Sequence, residues 1–423
     1  MRLAFVTPRY GAEIGGGPEH ACRLLAEQLS ARHDVDVLTT CAPDPRSWKN
    51  EYSEGADRVR GVLVRRFAVS QPGDPAALAH ATRHLATSPH GSADELAWVR
   101  EHGPNAPGLI DHLKRQHKSY DALVFFSLFH ATTVQGAGVA PDKTLIFPYL
   151  HLTPYLRFGI WADLLRGARG IGYLSGVERH LARAFFSVTP SNHEVVGVGV
   201  DPPPRQAYPR HQQDPADAVA DEDLLAVEDE GPDEPEYLAG QGIPFRRRHR
   251  LYGRFAVYGG RVEQDNGCEE MLEYFDTYAE GRDDASLVLM GVKMMKLPAI
   301  KGARLAGVLP DRDRLVAYEA ADVTIAPEAR DLLAQTTLES MAVGTPVLVN
   351  AGNESAVEHC RRAGAGLYYG SRGEFVEALG LLMSDPSLRD TLGRNGRRYV
   401  RHNYRWEAVV GRFERLASRL RAR

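Results

Sequence analysis

Lysine is scarce in this chain: of 51 basic residues only Lys49, Lys114, Lys118, Lys143, Lys293, Lys296 and Lys301 are lysines, and the rest are arginine. A GC-rich coding sequence produces that skew, so by itself it points to no ligand. Cysteine is scarce too. Cys22, Cys41, Cys268 and Cys360 are widely scattered, with no C-x-x-C pair and no histidine at metal-ligand spacing. Reduced thiols in a cytoplasmic protein are therefore expected, not a disulfide framework or a zinc site. No run approaches the roughly eighteen apolar residues of a membrane span. The opening Met1-Arg2-Leu3-Ala4-Phe5-Val6 is too short an apolar run for a secretory leader. A charge excess of one sign is also missing: net charge is −4 and pI about 6.5, which gives no electrostatic case for a nucleic-acid partner.

What is present is an ordinary globular balance, 43% apolar and 25% charged, over 423 residues. That length exceeds what one hydrophobic core usually organises, so two domains are expected. Leu3–Val6 predicts a buried parallel strand, the glycine loop 15–17 a turn, Glu19–Arg32 a helix and Val35–Thr39 a second strand. This β-loop-α-β opening signals an open parallel sheet. Further strands are expected at Gly61–Phe67, Ala122–Phe126, Thr144–Phe147, Phe185–Thr189 and Glu194–Val198. From Asp201 to about Gly242 the composition turns to Pro, Asp, Glu and Gln, which predicts a solvated insertion. A second alternating half then begins at Phe255–Tyr258. It continues through helix Glu269–Tyr278, strand Ser286–Met290, helix Arg312–Ala320, strand Val323–Ala326, helix Thr336–Val343 and strand Pro346–Val349. Helices Phe375–Leu382, Pro386–Tyr404 and Trp406–Leu420 complete the pattern.

The predicted organisation is an N-terminal Rossmann-like domain over 1–200 and an acidic, Pro-rich linker over 201–245. A C-terminal Rossmann-like domain follows over 246–400, and a terminal helix over 401–423 packs back towards the first domain. Two such sheets place a ligand in the cleft between them, at the carboxyl ends of the strands.

The glycine loop is not a dinucleotide fingerprint, because His20 occupies the third glycine position and the loop is too long for that tight turn. Asp36 imitates the acid that binds a dinucleotide ribose, yet it stands without the rest of the motif. The Asp-x-Asp pairs at 34/36, 221/223 and 311/313 read as strand or solvated acids, not metal ligands. The run from Ala326 to Val347 is more telling: strand, loop, helix, glycine turn, strand, with Asp331 in the loop and Glu339 a turn into the helix. The free N–H groups of such a helix start can hold a diphosphate, and an acid just behind them can accept ribose hydroxyls.

The chain resembles the family-4 retaining glycosyltransferases of the GT-B fold, over nearly its whole length outside 202–242. The likeness rests on Phe5-Val6-Thr7-Pro8 with Gly15-Gly16-Gly17-Pro18-Glu19, on Gly259-Gly260-Arg261, on Leu338 to Val347, and on Asn395 to Val400 with Tyr404-Arg405-Trp406. The resemblance implies an α/β GT-B protein whose two Rossmann-like domains, the first (1–200) for the acceptor and the second (246–400) for the nucleotide sugar, face each other across a donor-binding cleft. It implies that Glu339 binds the nucleotide ribose and that Arg261 meets the diphosphate and leaving oxygen. Backbone groups of Ala334, Gln335 and Thr336, and of Gly16 and Gly17 from the other domain, would meet the phosphates. Gly307 and Val308 would hold the base edge, His151 would face the transferred sugar, and Asp331 its hydroxyls. No metal and no cofactor are implied, only a nucleoside-diphosphate sugar, UDP- or GDP-linked, as substrate.

Two positions depart from the family pattern. Asp331 stands where a glutamate is usual, and Asn266 where a lysine is usual. Losing an ammonium there removes a charge-assisted contact of ~1.5–3 kcal/mol. Lys293, Lys296 and above all Lys301 are the expected substitutes. The function that follows is transfer of a sugar to a small polar acceptor, in a setting such as antibiotic biosynthesis. A lipid or polyprenyl acceptor, a non-catalytic nucleotide-sugar binder and an epimerase stay open as alternatives. The oligomeric state is not legible.

Overall fold

The computed structural model describes residues 1–15, 17–187, 192–200, 242–282 and 284–420. Gly16 and the acidic segment 202–241 lie outside them. The N-terminal sheet is built from β1 (Arg2–Val6), β2 (Asp34–Thr40), β3 (Gly55–Val59), β4 (Val62–Phe67), β5 (Ala122–Phe126), β6 (Thr144–Phe147), β7 (Gly170–Tyr173) and β8 (His193–Val195). Their spatial order is β3-β4-β2-β1-β5-β6-β7-β8, parallel except for the β3–β4 hairpin. That hairpin turns at Arg60 and Gly61, both at positive φ, the two-residue turn whose twist suits paired strands.

The second sheet holds β9 (Phe255–Gly259), β10 (Ser286–Met290), β11 (Ala303–Gly307), β12 (Val323–Ala326), β13 (Val347–Asn350) and β14 (Gly366–Tyr369). Its order, β11-β10-β9-β12-β13-β14, is the doubly wound Rossmann order. Strand order reverses between β1 and β5 in one sheet and between β9 and β12 in the other. Each reversal opens a crevice at the carboxyl ends of the strands.

Helices cover both sheets. In the first half they are α1 (Gly17–Leu29), α2 (Pro75–Thr87), α3 (Ser92–His102), α4 (Pro107–Gln116), α5 (Ala131–Gly136), α6 (Ile160–Gly167) and α7 (Gly176–Phe186). In the second half they are α8 (Gly242–Arg248), α9 (Cys268–Ala279), α10 (Asp311–Ala320), α11 (Gln335–Val343), α12 (Glu354–Ala363), α13 (Arg372–Ser384), α14 (Pro386–Asn403) and α15 (Trp406–Ser418). The strands are buried on both faces, as β1 and β5 show, so they read as continuous apolar runs and their positions were legible.

Among the described residues, the strand expected to start at Phe185 is not formed. Phe185 and Phe186 end α7, with Phe186 on its buried face, so the apolar run at Phe185 is helical; Thr189 lies outside the described residues. Conversely β3, β11 and β14 were not anticipated. β3 and β11 are edge strands without a fully buried residue, so their patterns carry no apolar run.

The chain crosses between domains twice. Val200 N–H donates to the Tyr404 carbonyl at 2.7 Å, joining the first crossing to the second. α15 then lays Val409, Val410, Phe413 and Leu416 on the first sheet, with the Phe413 ring 5.8 Å from Phe5 and 6.2 Å from Phe147. Asp36, the ribose-acid mimic, is buried and accepts from Tyr120 Oη at 2.7 Å and Arg2 at 3.4 Å. These contacts make Asp36 a structural acid within the first domain. Among the described residues no helix is long and apolar enough to cross a membrane.

Candidate active site

A cavity of about 560 Å³ opens between the domains, lined by His20 and Arg23 of α1 on one side and by Gly260, Gln335, Thr336 and Glu339 on the other. Its C-domain wall forms where β9, β10 and α11 begin or end at the switch point. The chain passes there with almost no room for side chains. A Cβ on Gly291 would lie 1.8 Å from the Gly260 carbonyl oxygen, and one on Gly259 2.0 Å from the Tyr318 hydroxyl. Gly291 also holds φ +130°, which glycine tolerates best. Backbone therefore stands at the cavity surface, where a ligand can approach N–H groups closely.

The helix start is built by Ala334, which takes a left-handed φ of +46° to turn the chain into α11. Asp331 folds over this turn, and its Oδ1 accepts from the Leu333 N–H at 3.0 Å. Burial raises the Asp331 carboxyl, opposed by the N–H groups of Leu333, Ala334 and Gln335. Thr336 Oγ1 donates to the Gly259 carbonyl at 3.2 Å and ties α11 to the glycine turn. Glu339 is held in a fork by Arg314 of α10, with Nε at 3.1 Å from Oε2 and Nη2 at 2.8 Å from Oε1. Gly307, at φ +79°, ends β11, and Val308 lines the same cavity.

Arg261 lies at the exposed rim and pairs with Glu263 at 2.8 Å. Its carbonyl oxygen is gripped by Tyr258 Oη at 2.9 Å and Asn266 Nδ2 at 3.0 Å. The residue in the usual lysine position thus fastens the loop instead of presenting a charge. The expectation for Lys301 needs correction. It precedes β11, and a Cβ on the neighbouring Gly302 would strike the Ala285 carbonyl ahead of β10, at 2.2 Å. That is the amino end of a parallel sheet, whereas the cavity lies at the carboxyl end. Lys293 is the lysine beside the Arg261 loop, paired through its backbone with Val262. Lys296 follows it in the same connection after β10.

From the N-terminal domain, Gly17 starts α1 beneath Tyr149, where an added Cβ would fall 1.7 Å from the tyrosine hydroxyl. Tyr149 sits at φ +55°, just past β6. His151 follows two residues on, its Nδ1 at 3.2 Å from the Tyr149 carbonyl and its ring against Phe129 and Tyr149. Desolvation lowers the His151 imidazole, the Tyr149 carbonyl raises it, and Arg330 from the opposite domain lowers it. The Tyr149 hydroxyl is pushed up by burial and by Asp331. Tyr149 and His151 thus lie within electrostatic reach of Asp331 and Arg330 across the domain boundary, beside rather than among the residues lining the cavity.

Three residues near this site escaped the sequence reading. Arg314 lies on a polar helix start, where an arginine reads as solvated. Tyr318 looks like a core aromatic. Glu328 precedes Asp331 by three residues, and burial, with the Asp331 charge, lifts it to about 8. That two acids stood together in this loop was the available signal.

Residues 243–399 match the family model described as "Glycosyl transferases group 1". A protein from Xenopus tropicalis, "Glycosyltransferase 1 domain-containing protein 1", is 27% identical over 127 residues, 30% of this chain and 36% of that protein. The chain thus spans about a third of the length of that relative. Among solved structures, sucrose-phosphate synthase from Thermosynechococcus elongatus superposes with a TM-score of 0.65 at 16% identity, covering 100% of this chain and 99% of that one. Anabaena HepE in complex with UDP and glucose gives 0.64 at 13%, covering 100% of both chains. The trehalose 6-phosphate synthase of Burkholderia multivorans gives 0.61 at 12%, covering 100% and 99%. The fold is GT-B. Within it, residues 243–399 carry a glycosyltransferase group 1 domain.

Proposed function

We propose that the protein is a retaining glycosyltransferase of the family-4 type, moving a sugar from a nucleoside diphosphate to a small polar acceptor. The observation that carries this reading is the cavity itself: glycine backbone, a helix start and a forked acid form one wall, and α1 of the other domain faces them. The Gln335 and Thr336 end of α11 receives the diphosphate, Glu339 the ribose, and Val308 the base edge. Uridine is the base of choice, since the similar HepE structure holds UDP. Arg261 exchanges its Glu263 partner for the departing diphosphate. Positive charge brought to where the diphosphate's charge develops is the dominant contribution to this chemistry. Asp331 keeps one oxygen on the helix start and offers the other to sugar hydroxyls, with His151 and Tyr149 closing the sugar site from the acceptor domain. Front-face attack by the acceptor hydroxyl needs no protein nucleophile. The uncharged Asn266 is compensated by Lys293 on the adjacent connection. The altered site suits specialised metabolism such as antibiotic biosynthesis.

Calorimetric titration with UDP, GDP and ADP tests the donor site, and Glu339→Ala should weaken the preferred nucleotide by at least about tenfold. NMR of the anomeric proton in the product then tests retention. Binding of no nucleoside diphosphate would refute the reading. Binding without hydrolysis or transfer across an acceptor panel would favour a non-catalytic binder.

A further inference from the structure

We infer that Arg314 is a positioning residue that sets Glu339 for the 2′- and 3′-hydroxyls of the donor, so that selectivity for a ribose diol depends on it. The inference deepens the donor-site reading above and rests on it. Arg314 is the fourth residue of α10 and Glu339 the fifth of α11, two helices that pack side by side along the cavity. Both side chains line the cavity, and they meet as a two-point fork at 2.8 and 3.1 Å.

The fork determines what the carboxylate can still do. Two oxygens offer roughly four acceptor directions, and a bidentate guanidinium takes one on each. The rigid guanidinium thereby fixes the plane of the carboxylate and the directions in which it accepts. A vicinal diol presents two donors side by side and matches its two oxygens. Gln335 Nε2, at 3.4 Å from Oε1, is a long contact that a hydroxyl can displace. Charge leads to the same assignment. An acid beside a diphosphate site would repel its ligand, and one left unpaired while buried is costly. Paired with Arg314, Glu339 presents hydrogen-bond acceptors without a net negative charge at that wall. A lysine could supply the charge but not the planar fork.

The test is titration of the full-length protein with UDP and with 2′,3′-dideoxyuridine diphosphate, or with the GDP pair if GDP is the nucleotide bound. The wild type should prefer UDP by about tenfold or more, the effect of one charge-assisted hydrogen bond. Arg314→Leu should shrink that preference to within about threefold, and Arg314→Lys should fall between. Glu339→Gln should also lose the preference, with no further loss when Arg314→Leu is added. An Arg314→Leu protein that weakens both nucleotides equally would overturn the inference, because only the general field would then have changed. Tighter UDP binding in that variant would overturn it too, by showing that arginine and ribose compete. A wild type that binds neither nucleotide would instead sink the donor-site reading itself.

Discussion

Glu178 is a carboxyl with no exposure to solvent, and its burial makes a quantitative prediction. It lies in the first turn of α7, where the Ser175 hydroxyl accepts from its N–H at 3.1 Å. Its own oxygens accept from Leu150 N–H at 3.1 Å and Leu174 N–H at 2.5 Å. One acid thereby fastens the turn that carries Tyr149 and His151 to the turn that starts α7. Desolvation dominates over those N–H bonds and pushes the carboxyl up to about 7. The sign follows from proton counting. Below about pH 4.5 both folded and unfolded chains hold the proton, so the full stability is present. Between about 4.5 and 7 the unfolded chain releases it first, so stability falls as pH rises and levels off above 7. At about 1.4 kcal/mol per pH unit the loss is on the order of 3 kcal/mol, or roughly 6–12 °C for a domain of about 200 residues. Glu178→Gln cannot ionise. It carries a pH-independent cost of about 1–3 kcal/mol, because its amide nitrogen faces an N–H group. Differential scanning calorimetry of both proteins from pH 4.5 to 8 checks this. The wild-type melting temperature should descend relative to the variant across the window. Parallel curves would refute the assignment of a buried, proton-holding acid.

Three further outcomes follow from packing. Gly17→Ala sets a methyl against the Tyr149 hydroxyl; overpacking of this kind costs about 1–3 kcal/mol, and nucleotide affinity measured by titration should fall along with the melting temperature. Gly291→Ala meets the Gly260 carbonyl, a backbone atom that cannot turn aside, so UDP binding should be lost while the N-terminal domain still melts as in the wild type. Phe413→Ala removes the ring that α15 stacks near Phe5 and Phe147; it should cost about 3–5 kcal/mol, read as an earlier melting transition of the N-terminal domain.

Most of the architecture was legible along the chain. Parallel strands buried on both faces announce themselves as short apolar runs between turn residues, and Ala122–Phe126, Thr144–Phe147, Ser286–Met290 and Val323–Ala326 were read with the bounds they have. The loop and helix from Asp331 to Glu339 were also recognisable, because a helix start after a parallel strand is a local arrangement. What failed was whatever depends on strand direction or on meetings between distant segments. Lys301 looked close to the donor because it is near Gly307 in number. The intervening strand carries the chain from one end of the sheet to the other, so five residues of extended backbone separate two different surfaces.

Composition and periodicity, then, determined two wound sheets, a cleft between them and the segment most suited to hold a diphosphate, because each of these follows from local burial and turn chemistry. Only the tertiary structure decided which charges face one another. It placed Arg314 on Glu339 across 25 positions, Tyr149 over Gly17, and Glu178 beneath the His151 turn. Those contacts join residues far apart along the chain, and side-chain charge acts through a few ångströms of space, a distance that residue numbers do not record.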